Sequence, residues 1–120
     1  MGKRHKDLEV WRRSIDFVTL IYKVTGTFSE REKFGLVNQM RRAAVSVPSN
    51  IAEGASRQSS KEFIQFLYIA NGSLAELETQ LIISNKLGYL NDEKFRELEQ
   101  ECDEIGKMIS GLIKYRKTQI

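Results

Sequence analysis

Apolar residues recur at three- and four-residue steps along four stretches of the chain, which is the spacing of a helix face and not of a strand. In the first stretch Leu8, Trp11, Ile15, Val18 and Tyr22 form one stripe, and Val10, Phe17, Ile21 and Val24 form another beside it. Together they cover nearly half of the helix circumference, more than one bundle seam requires, and Arg12, Asp16, Thr19 and Lys23 lie opposite. Asp7 offers an N-cap and Gly26 a stop, so the spacing predicts a helix over about 7–25.

Ser29-Glu30-Arg31-Glu32 reads as a capping box that opens a second helix, with Leu36, Met40, Ala43, Val47, Ile51 and Gly54 on its inner face. Pro48 interrupts the backbone ladder within that pattern, yet the periodicity keeps its phase across it. One proline-kinked helix over about 30–56 is expected, the alternative being two short helices joined at Ser46–Ser49. Ser59 and Glu62 form another capping box. The third helix, about 60–87, carries Phe63, Leu67, Ala70, Leu74, Leu77 and Leu81 as core, and ends at Gly88. Ile64, Tyr68, Ala75 and Ile82 form a flank roughly a hundred degrees away. Asn91 can cap a fourth helix, about 92–117, with Phe95, Leu98, Cys102, Ile105, Ile109 and Leu112 as its seam. Asp92, Glu93, Glu97, Glu99 and Glu101 crowd its first half and Lys114, Arg116 and Lys117 close it, an order that complements the helix dipole.

Short joints between long amphipathic helices predict an all-α protein: one domain, 1–120, folded as an antiparallel up-down-up-down four-helix bundle. Two features exceed what a lone bundle needs. The first and third helices each carry a second apolar strip, which a homo-oligomer would cover. Small residues (Ala43, Ala44, Ser46, Ser49, Ala52, Gly54 and Ala55 against Ala70, Gly72, Ser73 and Ala75) predict close packing of the second helix on the third.

Composition narrows the function. The 120 residues are 41% hydrophobic and 29% charged with one proline, a soluble and mostly helical profile. One cysteine, Cys102, forms no internal disulfide and suits a cytoplasmic protein. The basic start leads into charged sequence and not a signal region, and no apolar run has membrane-spanning length. The single histidine, His5, leaves nothing for a di-iron Glu-x-x-His site, a histidine-dependent nuclease or an activated Cys102, and no phosphate-cradling glycine loop is present. No enzyme, metal or cofactor is expected. Residues 1–60 hold eleven Lys/Arg against six Asp/Glu, so +5, whereas residues 61–120 hold eight against ten, so −2. The basic half can attract an anionic partner.

The polar residues near Pro48 have a structural reading first. Ser49 and Asn50 can satisfy backbone groups freed by the proline, and Glu53 can pair with an arginine. Glu76 and Glu78 read as partners for Arg41 or Arg42.

The stretch from Gln39 through Arg41, Arg42, Ser46, Pro48, Ser49, Asn50 and Glu53 to Gly54 resembles the signature of the four-helix bundle family of 23S ribosomal RNA intervening-sequence proteins. Leu8-Glu9-Val10-Trp11, Phe34-Gly35-Leu36, Glu62-Phe63, Ala70 to Leu81 (including Glu76) and Leu87-Gly88-Tyr89-Leu90 extend the likeness over most of the chain. It departs at Phe28-Ser29, where relatives usually have Phe-Pro; serine can cap the helix that proline would open. The resemblance implies a bacterial protein, a left-handed antiparallel bundle and ring-shaped homopentamers. It also relates the chain to an accessory bundle of diversity-generating retroelements that binds nucleic acid and a reverse transcriptase.

The resulting expectation is a non-catalytic oligomer that binds RNA or DNA through Lys3, Arg4, Lys6, Arg12, Arg13, Arg41, Arg42 and Arg57. Repetition around a ring would multiply a modest patch. Arg12 is partly neutralised by Asp16, and no base-reading motif is present. The alternative is a scaffold that binds a partner polypeptide through its apolar strips.

Overall fold

Two of the four helices begin behind a cap residue whose side chain satisfies an orphan amide, and two begin without such a cap. The computed structural model describes residues 4–120. After a 3-10 turn at Arg4–Asp7 come α1 (Glu9–Thr25), a second 3-10 turn at Glu30–Glu32, α2 (Leu36–Ala55), α3 (Ser60–Lys86) and α4 (Asp92–Lys117), with no strand among the described residues. Ser59 Oγ accepts from the Glu62 amide at 3.2 Å and Asn91 Oδ1 accepts from the Lys94 amide at 2.8 Å, as the capping patterns predict. Past the end of α3, Gly88 takes φ +85, which its missing Cβ permits. The Tyr89 amide then reaches Ser84 O and the Gly88 amide reaches Asn85 O, the paired bonds of a Schellman closure.

Two starts differ from the sequence reading. Leu8, not Asp7, occupies the cap position of α1, because the chain is still in the preceding 3-10 turn at Asp7. The Ser29 box caps only the short 3-10 turn, its Oγ accepting from the Arg31 amide, and α2 begins at Leu36 instead of residue 30. Glu32 does not reach back to Ser29. Its carboxylate lies 3.4 Å from the Leu36 amide and accepts from the Tyr89 hydroxyl at 2.9 Å, joining the start of α2 to the α3–α4 joint. That second bond, more than burial, raises the Tyr89 pKa.

The four helices pack against one another around a single core, in a molecule extending 46 × 22 × 19 Å. Leu67, Leu77, Leu81, Leu98, Ile105 and Ile109 are fully buried; each such side chain contributes about 1.5–3 kcal/mol over its exposed state. On α1 the two stripes divide opposite to the order of their prominence. Val10, Phe17 and Ile21 enter the core, whereas Ile15 and Tyr22 stay exposed. Ile64, placed on the outer flank of α3 by its spacing, is buried at 7%; Tyr68 and Ile82 of that flank are exposed.

α2 is continuous through Pro48, which is itself buried. Its contacts with α3 run in reverse sequence order: Met40 meets Ser84, Ser46 meets Ser73, and Gly54 meets Phe63 and Phe66. Gly54 is where the close approach occurs, since a Cβ there would lie 2.7 Å from Phe66 Cβ. Gly72, the other glycine of the small-residue set, has nothing within 4 Å. Asn50 does not serve the carbonyl freed by Pro48. Its Nδ2 donates to Ser46 O at 2.8 Å and to Ser46 Oγ at 2.9 Å, and Ser46 Oγ meets Ser73 Oγ at 2.8 Å. Ser49 is exposed. Glu53 pairs with Arg57 at 2.8 Å, the arginine partner expected for it.

Candidate nucleic-acid interface

Most arginines singled out from the sequence are occupied by the fold. Arg13 of α1 forms a two-pronged bond to Glu101 of α4, at 2.9 and 3.0 Å, and this bond with the carboxylate's charge raises its pKa. Arg41 of α2 closes the end of α1: Nε donates to Thr25 Oγ1 and Nη2 to Tyr22 O, both at 3.0 Å, with the guanidinium 4.5 Å from the Tyr22 ring centre. A cation placed there also complements the negative end of the α1 dipole. Arg12 donates to the Lys6 carbonyl at 2.6 Å. Arg42 is exposed and shares a polar cleft of about 480 Å³ between α2 and α3 with Glu76, Ser46 and Ser73. The pairing of Arg41 or Arg42 with Glu76 or Glu78 is absent among the described ion pairs, because Arg41 turns to α1 and Arg42 stays in the open cleft. Lys6 is exposed; Lys3 and the side chain of Arg4 lie outside the described part of the chain.

A different grouping of cations emerges in three dimensions. The start of α1 borders the second half of α2, where Trp11 and Ile15 line a groove with Pro48 and Ala52. Gly54 of α2 touches Phe63 and Phe66 near the start of α3, and Arg116 near the end of α4 lies 5.0 Å from the Phe63 ring centre. One end of the bundle therefore gathers Lys6, Arg12, Arg57, Lys61, Lys114, Arg116 and Lys117. Arg57 stands 4.9 Å from the Phe66 ring and Lys117 5.7 Å from the Tyr68 ring. Arg116 Nε is buried without a hydrogen-bond partner. Of these seven, Arg57 alone has an ion-pair partner among the described residues.

The cations of α3 and α4 fall outside the set that sequence spacing singles out, although the signal is there: residues 105–120 hold four Lys/Arg and no Asp or Glu. A basic helix end has a sufficient cause in the helix dipole, and a charge count over residues 61–120 averages the acidic first half of α4 with its basic end.

Two further features bear on function. The α1–α2 groove, about 390 Å³ and lined by Trp11, Ile15, Val18, Val45, Pro48 and Ala52 with Ser49, is almost wholly apolar. Cys102 is buried on the α4 seam, and burial pushes its thiol up to about 12. It is a protonated core group at neutral pH. Among the described residues no cluster of His, Cys, Asp and Glu could hold a metal ion, and no helix is long and apolar enough to cross a membrane.

A crystal structure of a protein of unknown function from the S23 ribosomal protein family of Bacteroides thetaiotaomicron superposes with a TM-score of 0.79 at 29% identity, covering 88% of this chain and 98% of that one. No match is found among curated proteins. The family described as 23S rRNA-intervening sequence protein matches residues 6–111, which covers α1, α2, α3 and all but the last turns of α4. The chain belongs to the 23S rRNA-intervening sequence protein family.

Proposed function

We propose that this protein is a non-catalytic, homo-oligomeric bundle that binds RNA or DNA through its basic surface. The observation that carries the reading is the gathering of unpaired cations from α1, α3 and α4 at one end of the bundle. Lysine and arginine side chains free of carboxylate partners can replace the counterions of a polyphosphate, and release of those counterions drives association. The family description is compatible with this reading, and the protonated, buried Cys102 supports a binding role over nucleophilic catalysis.

Fluorescence anisotropy with labelled RNA and DNA across a salt series tests it. Binding is expected to weaken linearly in log–log form as salt rises; absent or salt-insensitive binding at low salt would overturn it.

A second reading rests on the apolar α1–α2 groove with exposed Ile15, Tyr22 and Val45 beside it. Such a surface suits a second copy of the chain or a partner polypeptide. Light scattering separates self-association from a monomer of 13.9 kDa. Val45→Glu is expected to dissociate an assembly built on this face without unfolding the monomer.

A further inference from the structure

The α3–α4 face at the basic end has a chemistry that phosphates alone do not explain. Resting on the nucleic-acid reading above, we infer that this face is a track for single-stranded nucleic acid, with phosphates on α4 lysines and bases on α3.

Lys107 and Lys114 are seven residues apart and Lys114 and Lys117 three, so all three lie along one side of α4. Lys107 lines the α3–α4 groove with Asn71 and Ala75. The row therefore borders that groove for about 15 Å at the helical rise. All three lysines are exposed. On the α3 side Lys61 and Tyr68 share a face by the same seven-residue spacing. Tyr68 is 52% exposed. From Phe63 to Ala75 α3 carries no charged residue at all. The track has a defined end: beyond Lys107 the groove is lined by Glu78 and Asp103, which repel a phosphodiester.

The exposed Tyr68 ring selects the strand state. A duplex hides its base faces and offers Tyr68 only phosphate and sugar, so covering it brings no gain. An unpaired base presents a π-face that can stack on Tyr68 while the Lys117 ammonium, 5.7 Å from that ring, turns to the adjoining phosphate. The guanidiniums of Arg57 and Arg116 stand 4.9 and 5.0 Å from the Phe66 and Phe63 ring centres. Guanidinium planes offer further stacking surfaces to bases leaving the groove.

The test compares labelled oligouridine with an RNA duplex of equal length, using the full chain, with circular dichroism of each variant as the folding control. Wild type is expected to bind the single strand at least tenfold more tightly than the duplex. Lys114→Ala with Lys117→Ala should reduce the log–log salt slope by about 1.4, two phosphate contacts at the single-strand value. Tyr68→Ala should lower affinity at least fivefold and leave that slope unchanged. A combined Lys23→Ala, Lys33→Ala and Lys86→Ala variant, three exposed cations at the other end of the bundle, should change single-strand affinity less than twofold. Salt-dependent binding with equal affinity for duplex, or loss confined to the Lys23, Lys33 and Lys86 variant, would overturn this track and leave the nucleic-acid reading standing. Absence of binding to either probe would overturn both.

Discussion

Replacing Gly54 by alanine should destabilise the protein, against the direction that helix propensity alone dictates. Within an exposed helix interior the change adds about 1 kcal/mol of stability. At Gly54 the new methyl would lie 2.7 Å from Phe66 Cβ, 2.8 Å from Phe63 Cδ1 and 3.2 Å from Phe63 O. Carbon atoms rest at about 3.5–4.0 Å, so the two carbon contacts are far inside the repulsive wall and the contact to Phe63 O is tighter than ordinary packing. Two of the three neighbours are a Cβ and a backbone oxygen, which cannot swing aside; α2 must move off α3. Overpacking of this kind costs about 1–3 kcal/mol. With the rigid neighbours placing it at the upper end, the net loss is about 2 kcal/mol, or roughly 8 °C in Tm for a chain of this size. Gly72→Ala and Gly111→Ala supply the contrast, since nothing lies within 4 Å of a Cβ at either position, and both should gain up to about 1 kcal/mol. Urea unfolding followed by far-ultraviolet circular dichroism at one fixed protein concentration measures all three. A Gly54→Ala midpoint at or above wild type would refute the argument from close approach.

Three other changes probe the pairings. Arg41→Ala should cost about 1–2 kcal/mol through its lost bonds to Thr25 and Tyr22, whereas Arg42→Ala should stay within about 0.5 kcal/mol, as chemical denaturation would show. A double-mutant cycle over Arg13 and Glu101 should give a coupling of about 0.5–1 kcal/mol that falls with added salt, because solvent screens this partly exposed pair. Cys102 should resist thiol reagents at neutral pH until the chain unfolds. Its folded pKa lies above the unfolded value of 9.0, so its stabilising contribution is complete below pH 9.0 and is lost as pH rises toward about 12. The difference in unfolding free energy between wild type and Cys102→Ala, followed across that window, isolates it.

Helical periodicity was sufficient for the fold because it survives in a one-dimensional pattern. The seams of α3 and α4, their caps at Ser59 and Asn91, and the closure at Gly88 all lie within a few residues of their causes. What failed depends on neighbours distant in sequence. A wheel shows that α1 has two apolar stripes but not which one faces α2 and α4; the outcome is decided by packing around Phe17 and Ile21. A capping box at Ser29 is locally complete, yet nothing in it says that the chain bends again before Leu36. The arginines were harder still. Arg41 finds a helix end across the bundle instead of a carboxylate, and Arg57, Arg116 and Lys117, up to sixty positions apart in sequence, become neighbours only through the Phe63 to Tyr68 segment between them.

The Ser46, Asn50 and Ser73 bonds have a consequence for how α2 slides on α3. A slip of one turn, about 5.4 Å, would bring a residue with a Cβ to the place where Gly54 meets Phe63 and Phe66. Such a slip also carries Ser46 away from Ser73, whereas the two Asn50 bonds stay within α2. A hydrogen bond of this half-buried kind contributes about 0.5–1.5 kcal/mol. Its loss alone depopulates the slipped arrangement roughly twofold to tenfold. Ser46 and Ser73 thus add to Gly54 as a register key, with Asn50 holding Ser46 in place. By fixing the height of α2 on α3 they also fix the height at which Arg57 stands beside Phe66, and so the vertical alignment of the cationic end of the bundle.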